Sequence, residues 1–209
     1  MIVARLALGA AAAWGAYAWG AHLFAPGWIS RGPATQRRIA LTFDDGPDPV
    51  WTERIVAALE RAHARASFFL VGERAARAPQ TVRRIAAAGH EIGRAQRYLS
   101  DAGGAPIRHF RPPWGMVNAA MFCALRRHGQ RCVLWSIQPE GVRATPPVRQ
   151  VEYVLDHAHP GAIVDLHDAE GVADAPQRLL VALPPMIAGL RRLGYELVTV
   201  GELLETAEA

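Results

Sequence analysis

Hydrophobic and polar positions along this chain follow two alternating patterns. Short runs rich in β-branched and aromatic residues fall at 39–43, 66–71, 90–93, 107–110, 132–136, 162–166 and 196–200, and each reads as a strand. Between them lie stretches whose apolar residues recur at helical spacing. Over 52–62, Ile55, Val56 and Leu59 share one face, and similar patterns cover 79–88, 118–128, 145–157 and 177–193. Gly89, Gly129 and Gly194 stand where helices end, and Thr145-Pro146 stands where one begins. Strands alternating with helices predict a parallel sheet covered by helices. One connection is too short for that plan. The stretch 94–106 has no helical pattern, although a parallel crossover takes about a dozen residues or more, most of them helical. A barrel built on these strands is therefore expected to gape there, or the flanking strands are not neighbours.

The first thirty residues differ in kind. The run 6–25 carries no charged residue and is broken only by His22. A membrane-spanning helix needs about twenty such residues. Trp28 follows at the expected interface, and Arg5 precedes the run. The sequence thus divides into a membrane anchor at 1–28, a Pro/Gly-containing linker at 29–35 and one α/β domain at 36–209. A cleaved signal peptide is the rival reading, because Ala16-Tyr17-Ala18 offers a small-x-small site. Arg31, Arg37 and Arg38 compete with Arg5, so flanking charge does not set the orientation.

Composition narrows the picture little. Every Lys/Arg position is Arg, and the net charge is only +4 because acidic residues are interleaved with the arginines. That pattern does not form a nucleic-acid-binding surface. Cys123 and Cys132 are too few for a disulfide framework, and their places on a helix and the next strand predict buried thiols.

The richest chemistry lies in Thr42-Phe43-Asp44-Asp45-Gly46-Pro47, where an apolar strand breaks into a turn. Adjacent side chains on a strand point to opposite faces, but at its last residue the turn lets both carboxylates reach one site. Such a pair suits one base and one metal ligand, since a nearby cation keeps both ionised. An ordinary Asp-Asp-Gly-Pro turn, its side chains bonded to backbone amides, is the competing explanation.

Two later pieces, Arg111-Pro112-Pro113-Trp114-Gly115 and Ile163-Val164-Asp165-Leu166-His167-Asp168, follow in order. With the first, they make the chain from about Gln36 to Leu204 resemble the polysaccharide deacetylase family (NodB homology, carbohydrate esterase family 4). The resemblance implies a distorted seven-stranded (β/α) barrel, here incomplete near 94–106, with its site at the carboxyl ends of the strands. It implies hydrolysis of N-acetyl or O-acetyl groups on cell-envelope glycan such as peptidoglycan, by a divalent metal, usually zinc. By the same resemblance Asp44 is the base and Arg111 its partner. Asp45 is the acidic metal ligand, the Trp114 amide lines an oxyanion hole, and His167 is the general acid. The domain is expected outside the cytoplasm, tethered by its N-terminal helix.

The same comparison exposes losses. After Gly89-His90-Glu91-Ile92-Gly93 the family places two metal-binding histidines, and those positions here are Ala95 and Leu99. Neither can ligate a metal, whereas a hydrolytic zinc site needs three protein ligands and an open position. His90 matches a non-ligand position and is expected to be structural. The Asp-Trp pair that orients the family's histidine is replaced by Gly141 and Val142, and a Leu of the acetyl pocket is Asp165. Asp165 and His167 are two apart on a strand and share a face, so either could substitute as a ligand beside Asp45, or Asp165 could orient His167. His63, His128, His157 and His159 lie at helix ends and suit the helix dipole. Three readings follow: a weak hydrolase, a membrane-tethered pseudoenzyme or glycan-binding remnant, and a damaged gene.

Overall fold

The structure, a computed structural model, describes residues 27–95, 107–141, 143–169 and 172–205. The run 6–25 and Leu99 and Val142 lie outside the described residues. Among those described, no helix is long and apolar enough to cross a membrane.

Eight strands form one sheet: β1 Trp28–Ile29, β2 Arg38–Asp44, β3 Ser67–Leu70, β4 Glu91–Arg94, β5 His109–Phe110, β6 Arg131–Val133, β7 Ile163–His167 and β8 Glu196–Val198. The order is β1-β6-β5-β4-β3-β2-β7, with β8 also on β2, and every strand pair is parallel. Beyond β6 the chain meets β7 through a bridge between Ile137 and Val164, which curls the sheet into a partial barrel. Helices α1 Trp51–Arg61, α2 Gly72–Arg77, α3 Pro79–Ala87, α4 Ala119–Arg127, α5 Pro147–Asp156, α6 Ala175–Arg192 and α7 Val200–Glu205 complete the described elements.

Period-two alternation sorts the strand residues. Ile39, Leu41 and Phe43 of β2, Phe68 and Leu70 of β3, and Val164 and Leu166 of β7 join Ile55, Leu59, Leu183 and Met186 of α1 and α6 in the larger core. The opposite faces supply Ala40, Phe69, Ile163 and Ala95 to a second, interior cluster closed below by Val200 and Leu203 of α7. The same inner rows carry Thr42 and Asp44 on β2 and Asp165 and His167 on β7, with Asp44 in register with His167. Alternation therefore delivers the polar groups to the carboxyl end of the barrel interior.

The base of the barrel is tied by a polar network. Glu91 accepts from Ser67 Oγ (2.6 Å) and from the Gly201 amide (2.9 Å), and it pairs with His109. Burial pushes the Glu91 carboxyl up, but His109, Ser67 and Gly201 outweigh it and its pKa is lowered. Ser67 Oγ in turn accepts from the Val200 amide (2.8 Å).

Several expectations change. The sheet does not part at 94–106: β4 and β5 are neighbours, with Arg94 paired to Phe110 and the Arg111 amide donating to the Arg94 carbonyl (2.8 Å). The two-residue β5 is held on its other side by β6, with His109 opposite Arg131 and Phe110 opposite Cys132. Trp28, read as an interface residue, lies on β1 opposite Cys132, and the Gly32 amide donates to Gly161 (2.7 Å). The end of the expected anchor and part of the linker are thus packed on the domain. Cys132 is buried as expected, its thiol pushed up to about 12 chiefly by burial, whereas Cys123 is exposed.

Candidate active site

Arg111 organises the carboxyl end of the barrel. It follows β5, is 1% exposed, and lies 4.1 Å over the Phe69 ring. Its Nη1 donates to Asp44 Oδ1 (2.7 Å), Thr42 Oγ1 (2.8 Å) and Asp165 Oδ1 (3.1 Å). Nε and Nη2 donate to the carbonyls of Val133 and Leu134, each at 3.2 Å. A buried guanidinium is tolerable because its donors are met and carboxylates face it. One arginine serves two carboxylates, however. Burial first, then the neighbouring Asp165 and Asp45, push the Asp44 carboxyl well above its usual range against the pull of Arg111. Asp165 is raised too, chiefly by burial.

Asp45 follows directly with φ of 71°. This left-handed turn is rare for a side chain other than glycine, and it takes Asp45 out of the alternation of β2, as the paired-carboxylate reading requires. The turn rests on Asp168, a residue to which sequence reasoning assigned no role. Asp168 is completely buried and accepts from Thr52 Oγ1. Thr52 Oγ1 in turn accepts from the Asp48 amide (2.8 Å). A Cβ on Gly46 would meet Asp168 Oδ2 at 2.2 Å, so only glycine lets the turn lie on this carboxylate. Burial pushes the Asp168 carboxyl up to about 7, against the hydrogen bonds from Thr52 and Gly46.

Trp114 sits in a 3-10 turn, Pro113–Gly115, with φ of 58° and its indole 81% exposed. The turn's own bonds run from the Gly115 and Met116 amides to Pro112 and Pro113, leaving the Trp114 N–H out of them. His167 ends β7, half-buried, and no described residue hydrogen-bonds its ring. The expected orienting position, Gly141, is exposed, with nothing within 4 Å of a Cβ built there. Its neighbour Glu140 is committed elsewhere, to Arg178 Nη2 (2.7 Å) and the Thr145 amide (2.9 Å).

Among the described residues, the side chains expected as substitute ligands do not converge as a metal site. Asp165 spends one carboxylate oxygen on Arg111 and the other on Gln138 Nε2 (3.1 Å). It makes no hydrogen bond to the His167 ring, although the charges of His167 and Asp45 both act on its carboxyl. The Ala95 methyl packs in the interior apolar cluster with Phe69 and Val133. Among the described residues no three His, Cys, Asp or Glu side chains converge as a metal site. This donor set does not fit the family's zinc. His90 is buried against Phe68 (ring centroids 5.3 Å apart) with both ring nitrogens unpartnered, a packing role.

A profile of the polysaccharide deacetylase family matches residues 31–94. The chain is 35% identical over 195 residues to a peptidoglycan-N-acetylglucosamine deacetylase of Bacillus cereus, an alignment covering 82% of this chain and 90% of that one. This chain belongs to the polysaccharide deacetylase family. A chitooligosaccharide deacetylase of Bradyrhizobium is 30% identical over 198 residues, covering 80% of this chain and 90% of the relative. Among solved structures, a peptidoglycan N-acetylglucosamine deacetylase in complex with a naphthalenyl N-oxidanyl-benzamide superposes with a TM-score of 0.78 at 26% identity, covering 87% of this chain and 94% of that one. Within this member of the polysaccharide deacetylase family, Asp44, Arg111 and His167, the positions that the resemblance marks, share the inner face at the strand ends with Asp165, and Asp45 and Trp114 occupy the adjoining loops.

Proposed function

We propose that this chain binds acetylated cell-envelope glycan through the family's cleft and does not turn it over by the family's metal-dependent route. One observation carries the reading. The positions that would complete a metal site with Asp45 are Ala95 and Leu99, and the nearest substitute, Asp165, is tied through both oxygens to Arg111 and Gln138. Losing two of three ligands costs far more affinity than the 10–100-fold typical of losing a group that only orients a ligand. Relatives named for peptidoglycan and chitooligosaccharide deacetylation support the glycan class. The apolar run 6–25 supports a membrane tether, and the family resemblance favours a domain outside the cytoplasm.

The retained Asp44–Arg111 pair favours residual hydrolysis as a second reading. Zinc titration and elemental analysis of the purified chain, with acetate release from chitotetraose and glycan binding measured in parallel, separate the two. The expected result is glycan binding without stoichiometric zinc or acetate release, and zinc binding gained by the double variant Ala95→His, Leu99→His. Micromolar zinc binding abolished by Asp45→Ala, together with acetate release, would overturn the non-hydrolytic reading.

A further inference from the structure

A groove of about 620 Å³ opens beside the loop that carries the paired carboxylates, lined by Pro47, Asp48, Pro49, Trp51, Arg74, Arg77 and Ala78. Its two walls are the chain leaving β2 and the chain leaving β3, joined by a bond from the Val71 amide to the Gly46 carbonyl (2.8 Å). Both leave the carboxyl ends of their strands, the end of the barrel that holds Asp44 and Arg111. The volume suits one or two sugar units.

Charge in this groove is unbalanced. Asp48 is committed, its Oδ1 accepting from the amides of Val50 (2.8 Å) and Trp51 (2.7 Å). Arg77 is paired with Glu73 on the exposed face of α2. Arg74 is half-buried and has no ion pair or side-chain hydrogen bond among the described residues. One face of the Trp51 indole is covered by Arg54, 4.8 Å from the ring centroid. A half-buried guanidinium without a partner, beside an indole and two prolines, suits a ligand that joins a carboxylate to an apolar ring face.

We propose that this groove is a subsite for a carboxylate-bearing sugar flanking the unit held over Asp44, with Arg74 taking the carboxylate. The inference rests on the glycan-binding reading and sharpens it. Of the two substrate classes for which the relatives are named, a peptidoglycan strand carries a free lactyl carboxylate on each muramic acid that bears no stem peptide, and a chitooligosaccharide carries none. Arg74 therefore selects the acidic glycan.

Titration of the full chain with three tetrasaccharides tests this. One alternates N-acetylglucosamine with N-acetylmuramic acid, the second is its methyl ester, and the third is chitotetraose. The free acid is expected to bind about tenfold more tightly than the ester, the scale of one charge-assisted contact, with the ratio shrinking as salt rises. Arg74→Gln should bring the ratio close to one, and Arg77→Gln should lower it less. Equal affinity for acid and ester while glycan still binds would overturn the subsite and leave the glycan-binding reading standing. A preference that survives Arg74→Gln would equally overturn the assignment to Arg74. Failure of all three glycans to bind would overturn both.

Discussion

His90 makes stability depend on pH in a calculable way. Its ring is buried against Phe68, neither nitrogen has a partner, and burial lowers its pKa from 6.5 to about 4. Glu60 pulls the other way, and Arg84 and Arg65 add to the lowering. Because the folded-state pKa lies below the unfolded one, the unfolded chain takes up the proton first. Stability linked to His90 is intact above pH 6.5 and lost as pH falls towards 4. A shift of about 2.5 units at 1.36 kcal/mol each amounts to about 3 kcal/mol in full, of which about 2 kcal/mol falls between pH 7 and pH 5. His90→Phe keeps the aromatic contact and removes both unpaired nitrogens. It should be at least as stable as the parent at pH 7, and its advantage should grow by about 2 kcal/mol at pH 5. Urea unfolding of the two proteins at pH 7, 6 and 5, followed by tryptophan fluorescence, measures that difference while other titrating groups cancel. A difference between the two proteins that does not change with pH would refute the argument.

Other expectations concern the charged centre and the thiols. Arg111→Met leaves Asp44 and Asp165 buried without their cation and should cost about 3–5 kcal/mol in urea unfolding. Adding Asp44→Asn and Asp165→Leu should recover most of it, and an additive loss would show that Arg111 acts through packing alone. Mass spectrometry after brief iodoacetamide treatment at pH 8 should find Cys123 modified and Cys132 untouched, since one thiol is exposed and the other is buried with its pKa near 12.

Strand and helix identity was legible wherever periodicity ran for more than a turn or a few strand residues, as in β2, β7, α1 and α6. The short elements were not. β1 has two residues and no pattern of its own, and only its pairing with Cys132 and Val133 makes it a strand. Helix α7 begins at Val200, inside the strand expected at 196–200, although Thr199 and Glu202 cap it reciprocally: the Thr199 amide donates to Glu202 (2.9 Å) and the Glu202 amide to Thr199 Oγ1 (3.2 Å). A Thr-x-x-Glu spacing was there to be read. Asp168 was visible as a letter in a motif, but its task of carrying the Gly46 turn depends on two loops meeting across β2 and β7, which no local window contains.

The pairing of Asp165 could not be read from spacing either. Two residues from His167 on one strand face, it invited a role beside that ring, yet the guanidinium that claims it comes from the far side of the barrel. The outcome bears on chemistry. The charges of Asp165 and Asp45 raise the Asp44 carboxyl, and that of Asp45 also raises Asp165 and Asp168, while among the described residues Arg111 is the cation bonded to Asp44 and Asp165. In the family's arrangement a bound metal would balance such a cluster. In this chain the residues that would hold it are an alanine and a leucine. A carboxylate standing where the resemblance places an apolar side chain increases the imbalance, and it shares the Arg111 Nη1 with Asp44. Burial, with the neighbouring carboxylates, raises the Asp44 carboxyl above its usual range. On the non-hydrolytic reading proposed above, the residues at 95, 99 and 165 bear on both the metal and the base, while the hydrogen-bonding frame of Arg111 stays in place.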